Sequence, residues 1–255
     1  MCIRDSFYER GIRYLSLSHG SNNHLSDSSY DETTQWGGIS EFGAEVIREM
    51  NRLGIMIDVA HVSDEAFWEI MAITEAPVIA SHSSARHFTP GFERNVSDEM
   101  IAAIGEGGGV VQINFGSMFL TKAALDYSNA RMAAGKAYLA THPELSESYL
   151  YREFPAIYAA DHGPLPYASL DDALDHFDHV VKLAGIDHVG IGSDYDGVGD
   201  SLPAGLKDVA SYPNLVAGLL RRGYSEADVR KILGENVLRV WSAVEDYAAT
   251  TSSST

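Results

Sequence analysis

The chain has 255 residues, of which 45% are hydrophobic and 21% are charged, so it can bury the core of one large domain or of two small ones. Its 36 acidic and 18 basic residues give a formal charge of −18, which repels nucleic-acid phosphates and anionic membrane surfaces and argues against both as partners. The single cysteine, Cys2, excludes an intrachain disulfide and a cysteine-rich zinc site, so any metal needs His, Asp or Glu ligands.

No stretch approaches the roughly 20 apolar residues that a membrane span requires. We therefore expect no membrane span and a soluble chain. Its compartment stays open, with a bacterial-type cytoplasmic location as the default expectation.

A strand–loop–helix unit recurs along the chain. RYLSLSH (13–19) predicts a strand, which is followed by a polar loop and by a helical pattern that closes on a glycine at residue 54. Serines stand at the N-cap position of the next two predicted helices, and Ser225 with Asp228 fits a capping box. Further strands are predicted over 55–61, 77–82, 109–115 and 188–194, and helices over 41–54, 63–74, 97–108, 169–185, 213–223 and 225–247.

Apolar strands that alternate with helices predict an α/β protein with a parallel sheet covered on both faces. We expect a (β/α)8 TIM-type barrel of which this chain holds about five of the eight βα units, in one domain over 7–247. Residues 121–165 are predicted to be an insertion and 248–255 a disordered tail, since TTSSST has low complexity. The opening MCIRDS shows no helix, strand or cap pattern, which suggests a truncated or artificial start.

Three polar residues close predicted strands: His61, His82 and Asp194. Because side chains alternate along a strand and neighbouring parallel strands lie roughly 4.8 Å apart, imidazoles from consecutive strand ends can converge on one Zn²⁺. Asp194 would then be an acid/base group or a ligand of a second ion. The competing interpretation is that each is a hydrogen-bonded structural residue, and spacing alone does not decide between the two.

Other polar and aromatic residues have simpler interpretations. Asp58 is predicted to face away from His61 and to act as a structural hydrogen-bond acceptor. An aromatic run over 149–158 predicts core packing of an inserted helix, with a lid as the alternative. Solvated side chains are expected for the remaining histidines of loops and polar helix faces: His24, His87, His142, His162, His176, His179 and His188.

Five ordered motifs resemble the membrane dipeptidase (renal dipeptidase) family of zinc metallopeptidases, which are amidohydrolase-type β/α barrels. They are GIRYLSLSH, GIMIDVAHVSD, PVIASHSSAR followed by RNVSDE, HVGIGSDYDG and GENVLRVW. The resemblance runs from about residue 7 to residue 247 and is weak in the insertion.

The resemblance implies hydrolysis of dipeptides at a site with two zinc ions. By this resemblance His61 and His82 hold one zinc, and Asp194 handles the proton of the attacking water. His19 contacts the substrate and polarises the developing oxyanion, and Arg94 pairs with the substrate's C-terminal carboxylate, for which a guanidinium fork is suited.

One departure from the family matters for activity. The family's His-x-Asp pair on its first strand and its metal-bridging carboxylate have no counterpart here, so we expect the N-terminal third to be missing and one partial zinc site to remain. The alternatives left open are another amidohydrolase-type hydrolase, such as an esterase or lactonase, and a non-catalytic barrel scaffold. The oligomeric state is open as well, a homodimer included.

Overall fold

A computed structural model describes residues 3–252, and residues 1–2 and 253–255 lie outside the described part. Five short strands form one sheet in chain order, and every neighbouring pair is parallel. This confirms the predicted α/β class with five βα units. The strands are β1 (Tyr14–Ser16), β2 (Met56–Asp58), β3 (Val78–Ala80), β4 (Val110–Ile113) and β5 (Val189–Ile191).

Helices follow the strands as the periodicity predicts, and a longer helical segment stands between β4 and β5. They are α1 (Ile3–Glu9), α2 (Glu41–Leu53), α3 (Asp64–Ile73), α4 (Asp98–Glu106), α5 (Ser117–Leu120), α6 (Lys122–Thr141), α7 (Tyr149–Arg152), α8 (Phe154–His162), α9 (Leu170–Ala184), α10 (Tyr212–Arg221), α11 (Glu226–Arg230) and α12 (Asn236–Ser252). A π-helical turn, Lys231–Glu235, joins the last two.

Serine caps fix where the helices begin. Ser63 and Ser97 each accept a hydrogen bond from the backbone N–H three residues on, at the start of α3 and α4. Ser225 and Asp228 form the predicted capping box at α11. Gly54 ends α2 with a left-handed φ of 78°, a conformation that glycine adopts without steric cost.

Both faces of the sheet are covered, as expected for parallel strands. Ile57, Ala80 and Val111 belong to the main core, and the residues of opposite parity, such as Met56 and Ile79, pack against α12. Strands buried on both faces explain why their sequences are continuous apolar runs.

The two ends of the chain differ from expectation. Residues 3–9 form a helix although MCIRDS carries no such pattern. The disordered tail predicted for 248–255 is wrong for 248–252, because α12 continues to Ser252 and the buried Ala248 lies beside Gly54. The low-complexity composition hid this contact, which is made with a residue almost two hundred positions away.

The 121–165 segment is helical, and its status as an insertion stays a prediction. Phe154 and Tyr158 are buried, as core packing of an added helix requires. Tyr151 is 63% exposed and lies near Tyr30, whose pKa it raises slightly. Part of the aromatic run is therefore packing, and Tyr151 stands at the mouth of the candidate site described below.

Candidate functional site

The candidate site residues lie beyond the strands rather than on their last positions. β2 ends at Asp58, three residues before His61, and β5 ends at Ile191, three residues before Asp194. His61 and Asp194 have φ of 71° and 56°, and they are the two non-glycine residues with positive φ in the described chain. The expectation that strand alternation sets their direction is wrong, because a left-handed residue breaks that alternation.

The imidazoles of His61 and His82 nevertheless converge. Their Nε2 atoms are 2.8 Å apart and their ring centroids 4.9 Å apart, although the residues are 21 positions apart in sequence. The His19 ring lies 4.4 Å from the His61 ring and is itself exposed. The loops that follow β1, β2 and β3 thus place the imidazoles of His19, His61 and His82 side by side.

The electrostatics of the pair suit a metal. Burial and the nearby positive charge of Arg94 lower the pKa of His61 to about 2, and the same causes lower the pKa of His82. Both rings are therefore neutral at physiological pH, which is the protonation state of a histidine ligand. Two nitrogens bound to one tetrahedral zinc ion are about 3.3 Å apart, so a small ring rotation brings this pair to ligand distance.

The buried Nδ1 of His61 has no hydrogen-bond partner among the described atoms. The two Nε2 atoms meet at one point, which is the arrangement of two imidazole ligands of a shared cation. The pair fits a divalent metal, but no third His, Asp, Glu or Cys donor of residues 3–252 lies within 4.8 Å of both.

Arg94 lies beside this pair and is 2% exposed. Its guanidinium donates to Ser83 Oγ at 2.7 Å and to the His82 carbonyl at 3.0 Å, and its Nε is unpaired among the described atoms. Burial lowers the arginine pKa, while the nearby Asp58 and Asp194 charges raise it. A fixed, partly unsatisfied guanidinium is a receptor for a carboxylate.

Asp194 joins the same site from β5. Its Oδ2 accepts from Asn114 Nδ2 at 2.9 Å, and its charge reaches His82 and Arg94. A Cβ at Gly192 would lie 2.9 Å from His82 Cα, so the chain after β5 runs directly against the loop after β3. The structure therefore brings all five sequence-predicted residues to one rim of the sheet.

Sequence reasoning missed two neighbours of the site. Tyr30 lies on the polar loop after β1, with its ring 5.7 Å from His61 and its hydroxyl beside Arg94; burial raises its pKa and Arg94 opposes that rise. Asn114 is fully buried just after β4. A polar residue following an apolar strand was the available signal for Asn114, whereas nothing in the loop sequence distinguished Tyr30.

Among the histidines expected to be solvated, His176 and His179 instead pack within the protein. His176 is fully buried: Nδ1 accepts from the Ala85 backbone N–H at 3.0 Å, so Nε2 donates to the Leu120 carbonyl at 3.0 Å. Burial lowers its pKa to about 4. His179 pairs through Nε2 with Asp98 Oδ1 at 2.7 Å. Both histidines lie on a face of α9 that reads as polar in the sequence, and that face is covered only because α9 packs against α4 and α5.

His179 also belongs to a second cluster. The donor atoms of His87, Asp98 and His179 lie within 4.8 Å of one another, and the two rings stack at 4.4 Å. Two imidazoles and a carboxylate could hold a divalent cation. Asp98 is, however, the first residue of α4, where the helix N-terminus and His179 already stabilise its charge.

The chain was compared with protein families and with curated proteins, and both comparisons give dipeptidases. A family model described as membrane dipeptidase (peptidase family M19) matches residues 3–255. The chain is 34% identical over 248 residues to an uncharacterized dipeptidase of Schizosaccharomyces pombe, covering 96% of this chain and 50% of that protein. The chain thus spans about half the length of this curated relative.

Solved structures agree with the family match. The probable dipeptidase PvdM of Pseudomonas aeruginosa superposes with a TM-score of 0.80 at 33% identity, over 95% of this chain and 65% of that one. A metallopeptidase of Rhodobacter sphaeroides, liganded with a phosphinate mimic of the dipeptide L-Ala-D-Ala, gives a TM-score of 0.71 at 26% identity, over 94% and 57%. Within residues 3–252, no helix combines the length and apolar character needed to cross a bilayer.

Proposed function

Because this chain belongs to the membrane dipeptidase family, peptidase family M19, we propose that its two-histidine site holds zinc for the hydrolysis of dipeptides. The observation that carries this proposal is the convergence of His61 and His82, with Nε2 atoms 2.8 Å apart. Arg94 and Asp194 stand beside them with charges suited to a substrate carboxylate and to proton transfer.

Zinc bound there would supply Lewis acidity and a water of lowered pKa. The chain's own residues would do the rest. Arg94 binds the C-terminal carboxylate of the dipeptide, and Tyr30, whose hydroxyl lies near Arg94, borders the same space. His19, exposed beside His61, donates to the oxygen of the scissile carbonyl as negative charge develops. Asp194 Oδ1 or Oδ2 takes the proton of the attacking water and returns it to the leaving amine.

The donor set limits how tightly this chain by itself holds metal. A catalytic zinc ion takes three protein ligands and a water, and the described residues supply two neutral imidazoles at this position. We therefore expect weak zinc binding, low turnover by this chain, and a second ion only where further ligands are supplied.

Arg94 argues for a free-carboxylate substrate over an ester or lactone. A lactone has no carboxylate to pair with a buried guanidinium, so a lactonase would leave the Nε of Arg94 without a hydrogen-bond partner. The phosphinate mimic of L-Ala-D-Ala bound by the Rhodobacter sphaeroides relative is a suitable probe, since it mimics a dipeptide.

Zinc titration of the 255-residue chain by calorimetry tests the proposal. We expect a binding event that His82→Ala removes and that Asp194→Asn leaves intact, apart from any zinc taken up by the cluster of His87, Asp98 and His179. Asn tolerates the positive φ that Asp194 adopts, so this variant removes the charge without forcing the backbone to change.

Hydrolysis of L-Ala-D-Ala and Gly-Leu with added zinc is the second measurement. The slow turnover should fall by at least about 100-fold in Asp194→Asn, as expected for loss of a general base. Arg94→Met should weaken binding of the phosphinate mimic more than it weakens zinc binding. Zinc binding unchanged by His82→Ala would contradict the assignment of the metal site.

A further inference from the structure

Asp58 is completely buried at the end of β2 and is saturated with donors. Its Oδ1 accepts the backbone N–H groups of Ala60 at 3.0 Å and Ser81 at 2.9 Å. Its Oδ2 accepts the hydroxyls of Ser81, at 2.6 Å, and of Ser16. A carboxylate can only accept, so both serine hydroxyl protons point at Asp58.

Ser81 can therefore only accept a hydrogen bond from the neighbouring His82. A serine hydroxyl has a single proton, and here it is given to Asp58. Ser81 Oγ also lies 2.7 Å from Nδ1 of His82, so in that contact Oγ must accept and Nδ1 must carry the proton. His82 is thereby held as the Nδ1–H tautomer, with a lone pair on Nε2.

His61, which faces His82, has no neighbour that fixes its tautomer in this way. Because Nε2 of His82 is an acceptor, the 2.8 Å contact requires His61 Nε2 to be the donor when no cation lies between them. Nδ1 of His61 is then the unprotonated nitrogen; it is buried and makes no hydrogen bond among the described atoms, although the nearby His19 carbonyl raises the pKa of this ring against the stronger effect of burial. The two histidines of the site are therefore not equivalent.

We infer that Asp58 and Ser81 form a positioning relay that presents His82 Nε2 as the preset metal-binding atom, whereas His61 must exchange its tautomer to bind. Asp58 and Ser81 touch neither substrate nor metal and act through His82. The role of the relay in metal binding rests on the proposed function, but the tautomer assignment does not.

Asp58→Asn gives a sharp test because it preserves shape and reverses the hydrogen bonds. The amide oxygen can still accept from the two backbone N–H groups, while the amide nitrogen donates to Ser81 Oγ. Ser81 then turns its proton toward His82 Nδ1, which must be unprotonated, and Nε2 becomes protonated. Ser81→Ala instead removes the restraint and lets His82 relax to a mixture of tautomers.

Histidine tautomers are read directly from the ring ¹⁵N shifts in long-range ¹H–¹⁵N NMR of the metal-free 255-residue chain at pH 8. We expect Nδ1–H for His82 and Nε2–H for His61 in the natural sequence, Nε2–H for His82 in Asp58→Asn, and a mixture in Ser81→Ala. Ser84→Ala is the matched control, since this buried serine in the same loop donates its hydroxyl proton to the Asn114 carbonyl rather than to a carboxylate beside a histidine. Ser81→Thr, which keeps the hydroxyl, should restore the Nδ1–H form.

Zinc affinity is the second readout, with a loss of about 10- to 100-fold expected in Asp58→Asn, the usual range for a lost outer partner of a histidine ligand. His82 with Nε2–H in the natural sequence, or a tautomer unchanged in Asp58→Asn, would overturn the relay and leave the proposed function untouched. If the tautomers behave as expected but the natural chain binds no zinc, the relay stands and the proposed function fails.

Discussion

His61 and Asp194 illustrate at the residue scale how the site is built. Each has a left-handed backbone that costs a non-glycine residue about 1–3 kcal/mol unless its surroundings enforce it. For His61 the enforcement is visible: its carbonyl accepts from the backbone N–H and the hydroxyl of Ser29. The strain turns its imidazole toward His82, so a cost in stability serves the geometry of the site.

His176 gives a pH-dependent prediction at the same scale. Its pKa is lowered from 6.5 to about 4, mainly by burial, with Asp172 opposing the shift and His87 and His179 reinforcing it. Between pH 6.5 and 4 the His176 imidazole is therefore protonated in the unfolded chain but neutral in the folded chain. The stabilisation from neutral His176 is complete above pH 6.5 and is lost as the pH falls toward 4, by about 3 kcal/mol in all.

His176→Asn tests this sign by urea denaturation between pH 7 and 4.5. The variant should be less stable at pH 7, because the bond to the Leu120 carbonyl is lost, but its stability should decline less with falling pH than that of the natural sequence. His24→Asn, at an exposed position, controls for the substitution itself. Parallel pH curves for the natural chain and His176→Asn would contradict the prediction.

At the scale of elements, the site depends on how closely the end of β5 approaches the end of β3. Gly192 N donates to the Ile113 carbonyl at 3.1 Å, which fixes the chain after β5. A Cβ at this position would lie 2.3 Å from the Ser81 carbonyl oxygen and 2.8 Å from that of Gln112. Only glycine lets these backbones meet, and their meeting brings Asp194 to His82.

Gly192→Ala should therefore lower the free energy of unfolding by about 1–3 kcal/mol, the range for overpacking a well-filled position. It should also weaken zinc binding, because the His82 loop must shift to make room. Gly20→Ala is the matched control, since nothing lies within 4 Å of its added Cβ. Equal stability of the two variants in urea denaturation would refute the close approach.

At the scale of the whole molecule, the sheet is open. β1 and β5 each pair on one side only among the described strands, and Tyr14 and Leu15 of β1 are 52% and 40% exposed. Unpaired strand edges with apolar side chains favour pairing with other chains. The charge of −18 opposes association at long range, but screening by salt confines that repulsion to roughly 10 Å at 0.1 M.

We expect the 255-residue chain to self-associate reversibly, and more strongly as salt concentration rises. Leu15→Lys should reduce association by placing a charge on the edge strand, whereas Leu238→Lys, at an even more exposed leucine of α12, should not. Sedimentation velocity over a concentration series measures this. A monomer at every concentration and salt condition would show that the edge is protected.

The order of strands and helices, the serine caps and the stop at Gly54 were all predictable from sequence. Each depends on residues at most a few positions apart, and their periodicity and capping chemistry are local. The candidate residues His61, His82 and Asp194 were found in the same way, because polar residues that follow apolar strands in a parallel sheet gather at one rim.

Tertiary structure alone decided how those residues meet. The contact of Gly192 with the Ser81 carbonyl, the hydrogen bond of Ser81 to Asp58 and that of Ala85 to His176 join residues about 20 to 110 positions apart. The left-handed φ of His61 and of Asp194 likewise depends on the surroundings that the fold provides. Such contacts leave no periodic trace in sequence, since each depends on which side chains the packed helices and loops bring together. The sequence by itself determined the elements and the chemistry available at the rim, and packing decided the direction, protonation and partners of each group.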